Sequence, residues 1–505
     1  MRVTINLSLR ELVPPQLQFG GPATSSDPKV GLRLAGPFDL RFGAARQTQV
    51  KVGIIGPGEM VDQTRRWIAR CRSPIPVLGT ASLLQKPFPG FAETFRMDLV
   101  DADGWCVRLD SSSHDAVAEA LAEPDAFRRF QKIVDLYSDA HARLASRDAN
   151  RPDVIILALP EEVLKKARMV ERGATEEEKK KAKEIAKSRA SRQMDMFDML
   201  QDVEQTEEDF LKRDLRHALK ARAMANKLPI QIATTRLLED GEGEDPATRA
   251  WNFAVGLYYK AGNVPWRLPT DGPETCFVGV SFHHFRTTQR HIVQSTLAQA
   301  FSSEGEGFAI RGQGVPAEEG QGRNVHLSHE QALNLGRDVL AEYARRTGGA
   351  PIRLVIHKTT YFDDSERAGF TEALRDIPIM EMVTLVPSAF RLLRFGSYPP
   401  KVGTLCSVND ARHYLFTSGY MPELGTYPGP HVPQPFEVRH FGDGDHLSAA
   451  QDVFNLTRMN WNTADIRGKW PVTLSFARRV GGILDEYEEF GSSDQDPATS
   501  LRYFV

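Results

Sequence analysis

Two short runs with almost no polar residue constrain the fold most. Residues 50–56 (VKVGIIG) form an apolar run that stops at Gly-Pro, and Asp153–Leu159 (DVIILAL) is apolar throughout after its first residue. Runs of this length with such ends are strands of the buried kind. Helical patterns follow each one: VDQTRRWIARC after the first, and a helix starting near Pro160 after the second. Between them lie a strand, WCVRLD, and a largely helical stretch from Ser113 to Ser146. Strands alternating with helices imply a parallel, doubly wound sheet, so the expected fold class is α/β.

The rest of the chain divides around that pattern. The first fifty residues read as short extended pieces around turns, LQFGG and then KVGLRLAGPFDLRFG. Thr175–Arg192 (TEEEKKKAKEIAKSRASR) is charged almost all round and reads as a solvated helix or insertion. A basic helix, the strand PIQIATT, an acidic loop (EDGEGEDP) and a helix from Ala247 to Ala261 follow. GNVPWRLPTDGPE is rich in Pro and Gly and marks a domain boundary. The second half opens with the strand Cys276–Phe285 and a hairpin. The helices LSHEQALNLGRDVLAEYARR and DSERAGFTEALRDI alternate with the strands IRLVIHKT and MEMVTLV, and two helices close the chain. The expected division is 1–49, strands packing on the body; 50–268, a first domain; and 269–505, a second. With 505 residues, two or more domains are expected.

Composition excludes several classes. A net charge of −3 gives no global attraction to nucleic acid, so any such binding must be local. Four separated cysteines, Cys71, Cys106, Cys276 and Cys406, form no CxxC pair, which points to reduced thiols in a cytoplasmic protein. No run approaches the roughly 18 apolar residues of a membrane span. VGIIGPGEM lacks the GK[ST] of a phosphate-binding loop. His283, His284 and His291 lack a carboxylate or Cys at ligand spacing. Asp363 and Asp364 precede a helix and read as an N-cap.

One local cluster does carry chemistry. Between Leu211 and Lys227 stand Lys212, Arg213, Arg216, Lys220, Arg222 and Lys227, against one acid, Asp214. Arg216 and Lys220 are four apart and share a helical face. Alone, such a pair is a solvated basic face. With Gln231 on the next strand and Lys260 beyond it, the set is what a terminal phosphate needs, because a monoester carries more charge than a diester.

Motifs along the whole chain give it a family resemblance. LQFGG, GLRLAGPFD, VKVGIIGP and PFPGFAETF (Pro87–Phe95) come first. The spacing of Leu219, Lys220 and Gln231, and Trp251–Leu268 (WNFAVGLYYKAGNVPWRL), come next. Leu456–Thr463, Trp470–Leu484 and the final RYFV close the series. Together they resemble a short prokaryotic Argonaute, with a Rossmann-like MID domain followed by an RNase H-like PIWI domain.

The resemblance implies that Arg216, Lys220, Gln231, Lys260 and Val505 hold the 5′ phosphate of a small guide RNA. It further implies that Gln231 and Val505 help to hold a Mg²⁺ ion there, since oxygen ligands suit that ion. Many relatives carry Tyr or His where Arg216 stands; Arg binds phosphate well, and the neighbouring His217 is the alternative. An active PIWI centre needs acids holding two metal ions about 3.5–4 Å apart. The matching positions here hold Ser281, Lys358 and Phe476, with Glu330 on the helix of the fourth. The expectation is therefore recognition of a complementary single-stranded DNA target without slicing. The output would fall to an APAZ-domain effector protein, sirtuin-like, TIR or nuclease, in a heterodimer that defends the cell by abortive infection. The competing expectation is a guide-dependent endonuclease that cuts the target itself.

Overall fold

The structure is a computed structural model. It describes residues 6–78, 83, 85–111, 114–171, 212–239, 244–269, 272–286, 292–302, 307–315, 326–393, 396, 399–409, 411–429, 432–489 and 500–505. The charged run 175–192 lies outside the described residues, as do residues 240–243 of the acidic loop and the side chains of His283, His284 and His291.

The opening segment is only partly extended. Strand β1 (Leu7–Glu11) is followed by helix α1 (Pro28–Ala35), in the stretch whose sequence reads as extended. Val30, Leu32 and Leu34 alternate as a strand would, but the helix start outweighs that pattern. Asp27 accepts from the backbone N of Lys29 (2.9 Å) and Val30 (3.3 Å), and Pro28 brings a preset φ to the first turn. Phe38–Ala45 then continues in 3-10 turns rather than as strand.

Four strands form the expected parallel sheet: β2 (Gln49–Gly56), β3 (Asp98–Arg108), β4 (Val154–Leu159) and β5 (Ile230–Thr234), in the order β5-β4-β2-β3. Every residue of β4 is buried, because both faces are covered. Helix α2 (Gly58–Cys71) brings Val61, Trp67 and Ile68 to one face, against Val52, Ile54, Val154 and Ile156. Helix α3 (Ala126–Ala145) brings Phe130, Ile133 and Tyr137 to the other, against Ile55, Ile155 and Leu157. Consecutive strand residues thus serve opposite cores. Each such side chain contributes roughly 1.5–3 kcal/mol by burial. Helix α4 (Leu215–Ala225) starts at Asp214, which caps it by accepting from Arg216 N and His217 N, and feeds β5. Helix α5 (Pro246–Lys260) follows.

The Pro/Gly-rich boundary is bolted down. Trp266 is fully buried and donates from its indole to Arg458 O (3.0 Å), while the indole of Trp461 donates to Trp266 O (3.0 Å). Beyond it lies a nine-stranded sheet. Its further strands are β6 (Thr275–Arg286), β7 (Ile292–Ser302), β8 (Gly307–Val315), β9 (Arg353–Lys358), β10 (Ile379–Pro387), β11 (Thr404–Val408), β12 (Arg412–Phe416) and β13 (Phe436–Gly442). The order is β1-β11-β12-β13-β10-β9-β6-β7-β8. The meander β6-β7-β8 is antiparallel, and β9 and β10 add to it in parallel, as an RNase H-like half requires. β1 is the far edge strand, so the opening residues belong partly to this second sheet.

Helices α6 (His329–Thr347) and α7 (Asp364–Ala373) both start in capping boxes, Ser328 with Gln331 and Asp363 with Glu366. Helix α8 (Ala477–Glu489) crosses back to pack on α4, so one continuous core joins the two sheets. Cys71, Cys276 and Cys406 are buried and Cys106 half-buried, all as free thiols. Among the described residues no helix is long and apolar enough to cross a membrane.

Candidate nucleic-acid interface

The residues of the candidate pocket come from four separate elements. Lys220, on the last turns of α4, donates from Nζ to Val505 O (2.8 Å) and Phe504 O (3.1 Å). Phe504 and Val505 reach that point because their side chains are buried in the core between the sheets. Lys260, the last residue of α5 and almost wholly buried, donates to Oε1 of Gln231 on β5. Two pairs thus form, Lys220 with Val505 and Lys260 with Gln231, and the charge of Lys260 bears on Lys220. Arg216 sits one turn earlier on α4, exposed, and its charge acts on Lys220. His217 instead turns inward, where a Cβ built on Gly482 of α8 would lie 2.7 Å from its ring.

The structure adds a residue that the sequence left out, Arg479 on α8. Burial pushes Lys220 well below the ordinary lysine range, and the charges of Lys260, Arg479 and Arg216 push it further, against Asp214. Burial and then Arg479 lower Lys260 to about 7. Lys220, Lys260, Arg479 and Arg216 thus influence one another's charge, and burial favours the neutral form of both lysines. A multiply charged anion bound among them would favour the charged forms again.

Gln231 Oε1 and the Val505 oxygen suit Mg²⁺ in kind. Both accept from lysine ammonium groups here. A divalent ion therefore fits only where phosphate oxygens take over those ammonium groups and complete its shell.

The second set of positions lies on the nine-stranded sheet. Strand register puts Lys358 beside Val280, so Ser281 faces the other side of the sheet. Ser281 shares that side with Gly279, whose Cβ would collide with Thr473 O, three residues before Phe476. Phe476 is buried with the Arg479 guanidinium 5.4 Å from its ring centroid. Glu330 is exposed in the first turn of α6. These four do not form one cluster.

Lys358 has no exposure and forms an ion pair with Glu366, equally buried. Its ammonium stands 5.4 Å from the Phe282 ring centroid and 5.3 Å from that of Phe362. Burial lowers its pKa, and Glu366 opposes the shift. Glu366 also accepts from Leu327 N (2.7 Å) and Asp363 N (3.2 Å), and pairs with His326 Nδ1 (3.1 Å). His326, Asp363 and Glu366 are close enough to share a metal ion, but the Lys358 ammonium already occupies Glu366.

No protein-family model matches the chain, and no curated protein matches it in sequence. Solved structures match it in fold. Clostridium butyricum Argonaute, bound to a guide DNA with a 5′ deoxycytidine and a 19-mer target DNA, aligns over 95% of this chain and 53% of its own, at 13% identity and a TM-score of 0.57. Aa-Ago with externally bound siRNA aligns over 98% and 56%, at 14% identity and 0.54. A. aeolicus Argonaute aligns over 94% and 53%, at 15% identity and 0.52. The chain spans about half the length of these proteins, and its mixed α/β architecture is that of their MID and PIWI halves.

Proposed function

We propose that this chain is the recognition subunit of a guided defence system in prokaryotes. It holds the 5′-phosphorylated end of a small guide, RNA in our reading, and presents the guide to a complementary single-stranded DNA. Base pairing supplies the sequence specificity, while the protein reads the backbone and the end chemistry. The observation that carries the reading is the pairing of Lys220 with Val505 and of Lys260 with Gln231, with the charges of Lys260, Arg479 and Arg216 bearing on Lys220. On guide entry the two ammonium groups would turn from Val505 and Gln231 to the phosphate oxygens. Gln231 and Val505 would then be free to hold Mg²⁺, which supplies further positive charge at the phosphate.

The chain does not slice in this reading, because Ser281, Lys358 and Phe476 offer no carboxylate where metal ligands are needed. The output belongs to an APAZ-domain effector protein, an NADase or a nuclease, switched on by target binding. Incubating the chain with guide, labelled complementary DNA and Mg²⁺ tests the first part: the target should be retained uncut. Guide-dependent cutting by the chain alone would overturn it and favour an endonuclease. Adding target to the complex with the effector should trigger NAD loss or DNA degradation, and no response with guide and target both bound would sink the second part.

A further inference from the structure

Arg479 stands one turn before Gly482 on α8, and α8 packs along α4. Contacts along the segment Lys212–Ala225 and along α8 run in opposite directions, Arg213 with Glu486 and His217 with Gly482. Arg213 donates from Nε (3.0 Å) and Nη2 (2.8 Å) to Oε2 of Glu486. In the first turn of α4, His217 lies against Gly482, where an added Cβ would come within 2.7 Å of the His217 ring. A further turn on, the charge of Arg479 bears on Lys220. Arg213 lies on the short strand that leads into α4 and Glu486 near the far end of α8, so the pair ties α8 to the segment that carries Lys220.

The Arg213–Glu486 pair is built to be rigid. Both side chains are almost fully buried, at 3% and 2% exposure. The Arg213 guanidinium lies 5.0 Å from the Phe130 ring centroid and donates from Nη1 to Gln131 Oε1 (3.4 Å), which anchors it to α3 as well. Two donors of one planar guanidinium on the carboxylate, with Nε also 3.3 Å from Oε1, specify direction as well as distance. A buried pair of this kind adds little net stability over apolar packing, so its contribution is better sought in registry.

The geometry points to Arg213 and Glu486 as a positioning pair that holds Arg479 over the guide-phosphate pocket. Neither touches the phosphate; they act through Arg479. The inference rests on the pocket reading proposed above.

The test uses the full chain and two guides of one sequence, one with a 5′ phosphate and one with a 5′ hydroxyl, in titrations followed by fluorescence anisotropy. Glu486→Gln should weaken binding of the phosphorylated guide about tenfold, within the range by which residues outside a site modulate it, and leave the hydroxyl guide unchanged. In an Arg479→Ala background the same substitution should have no further effect. Equal loss for both guides, or full additivity with Arg479→Ala, would overturn the inference. Arg213→Lys gives a second route that keeps the charge: a single ammonium cannot hold the Glu486 carboxylate in the direction the guanidinium does, and it should produce the same selective loss. Unaltered selectivity in a folded Arg213→Lys protein would also overturn it. A native chain that binds both guides equally refutes the pocket reading itself, and the positioning role falls with it.

Discussion

The Lys358–Glu366 pair allows a prediction in which the two partners are unequal. Removing either breaks a buried ion pair, which costs about 3–5 kcal/mol when the surviving charge is left without compensation. Glu366 would keep compensation after Lys358→Met. It still accepts from Leu327 N and Asp363 N and still faces His326, and a methionine fits between Phe282 and Phe362. The loss there should be one charge-assisted hydrogen bond, about 1.5–3 kcal/mol, less what is recovered from desolvation. Lys358 has no such reserve after Glu366→Gln. Its ammonium would stand with no exposure between two aromatic rings, beside an amide, and the cost should approach the full 3–5 kcal/mol. The double variant Lys358→Met with Glu366→Gln should be no worse than Glu366→Gln alone, since it removes the stranded charge. Urea unfolding at pH 7 of the four proteins gives the cycle. Hydrogen exchange at Leu327 and Asp363, whose amides bond to Glu366, reports the same site locally. If Lys358→Met costs more than Glu366→Gln, or the two costs simply add, the ion pair does not organise this corner of the sheet.

Other consequences follow at separate places. Lys220→Glu should abolish guide loading, read by oligonucleotide co-purification, with circular dichroism reporting whether the fold survives a carboxylate facing the Phe504 and Val505 oxygens. Chelating divalent ions should weaken binding of the phosphorylated guide severalfold and spare the hydroxyl guide, if Gln231 and Val505 hold Mg²⁺ as proposed. Acid should destabilise the chain through His141 and His357, which burial lowers to about 4 and about 3. Both stay neutral when folded at pH 5, whereas the unfolded imidazoles charge below about 6.5, so each costs about 2 kcal/mol between pH 7 and pH 5. His357→Gln should flatten the pH dependence of unfolding by that amount, and an unchanged slope would contradict it.

Much of the fold was legible because local signals agreed. β4 could be read as a strand covered on both sides from its composition alone, and the start of α7 from Asp363 and Asp364 as its N-cap. α1 departs from the extended reading because the Asp27-Pro28 helix start outweighs the alternation of Val30, Leu32 and Leu34. In the pocket, helical spacing correctly put Arg216 and Lys220 on one face of α4. Spacing cannot say how deep each sits, and Arg216 stays exposed while Lys220 reaches the buried end of the chain. Arg479 and Glu486 were invisible as partners of Lys220 and Arg213, which lie more than 250 residues away, because only the return of α8 brings them together. Lys358 could be seen as an odd residue for a metal centre, but its partner Glu366 was hidden inside an ordinary capping box.

The most direct measurement is a competition between guides that differ only at the 5′ end, with the native chain and Mg²⁺ at moderate salt. Several charge-assisted hydrogen bonds to a monoester should favour the 5′-phosphorylated guide by at least about tenfold, with binding that weakens steeply as salt rises. Equal affinity for the phosphate and hydroxyl ends would contradict the reading of Lys220, Gln231, Lys260 and Val505 as a guide-end pocket.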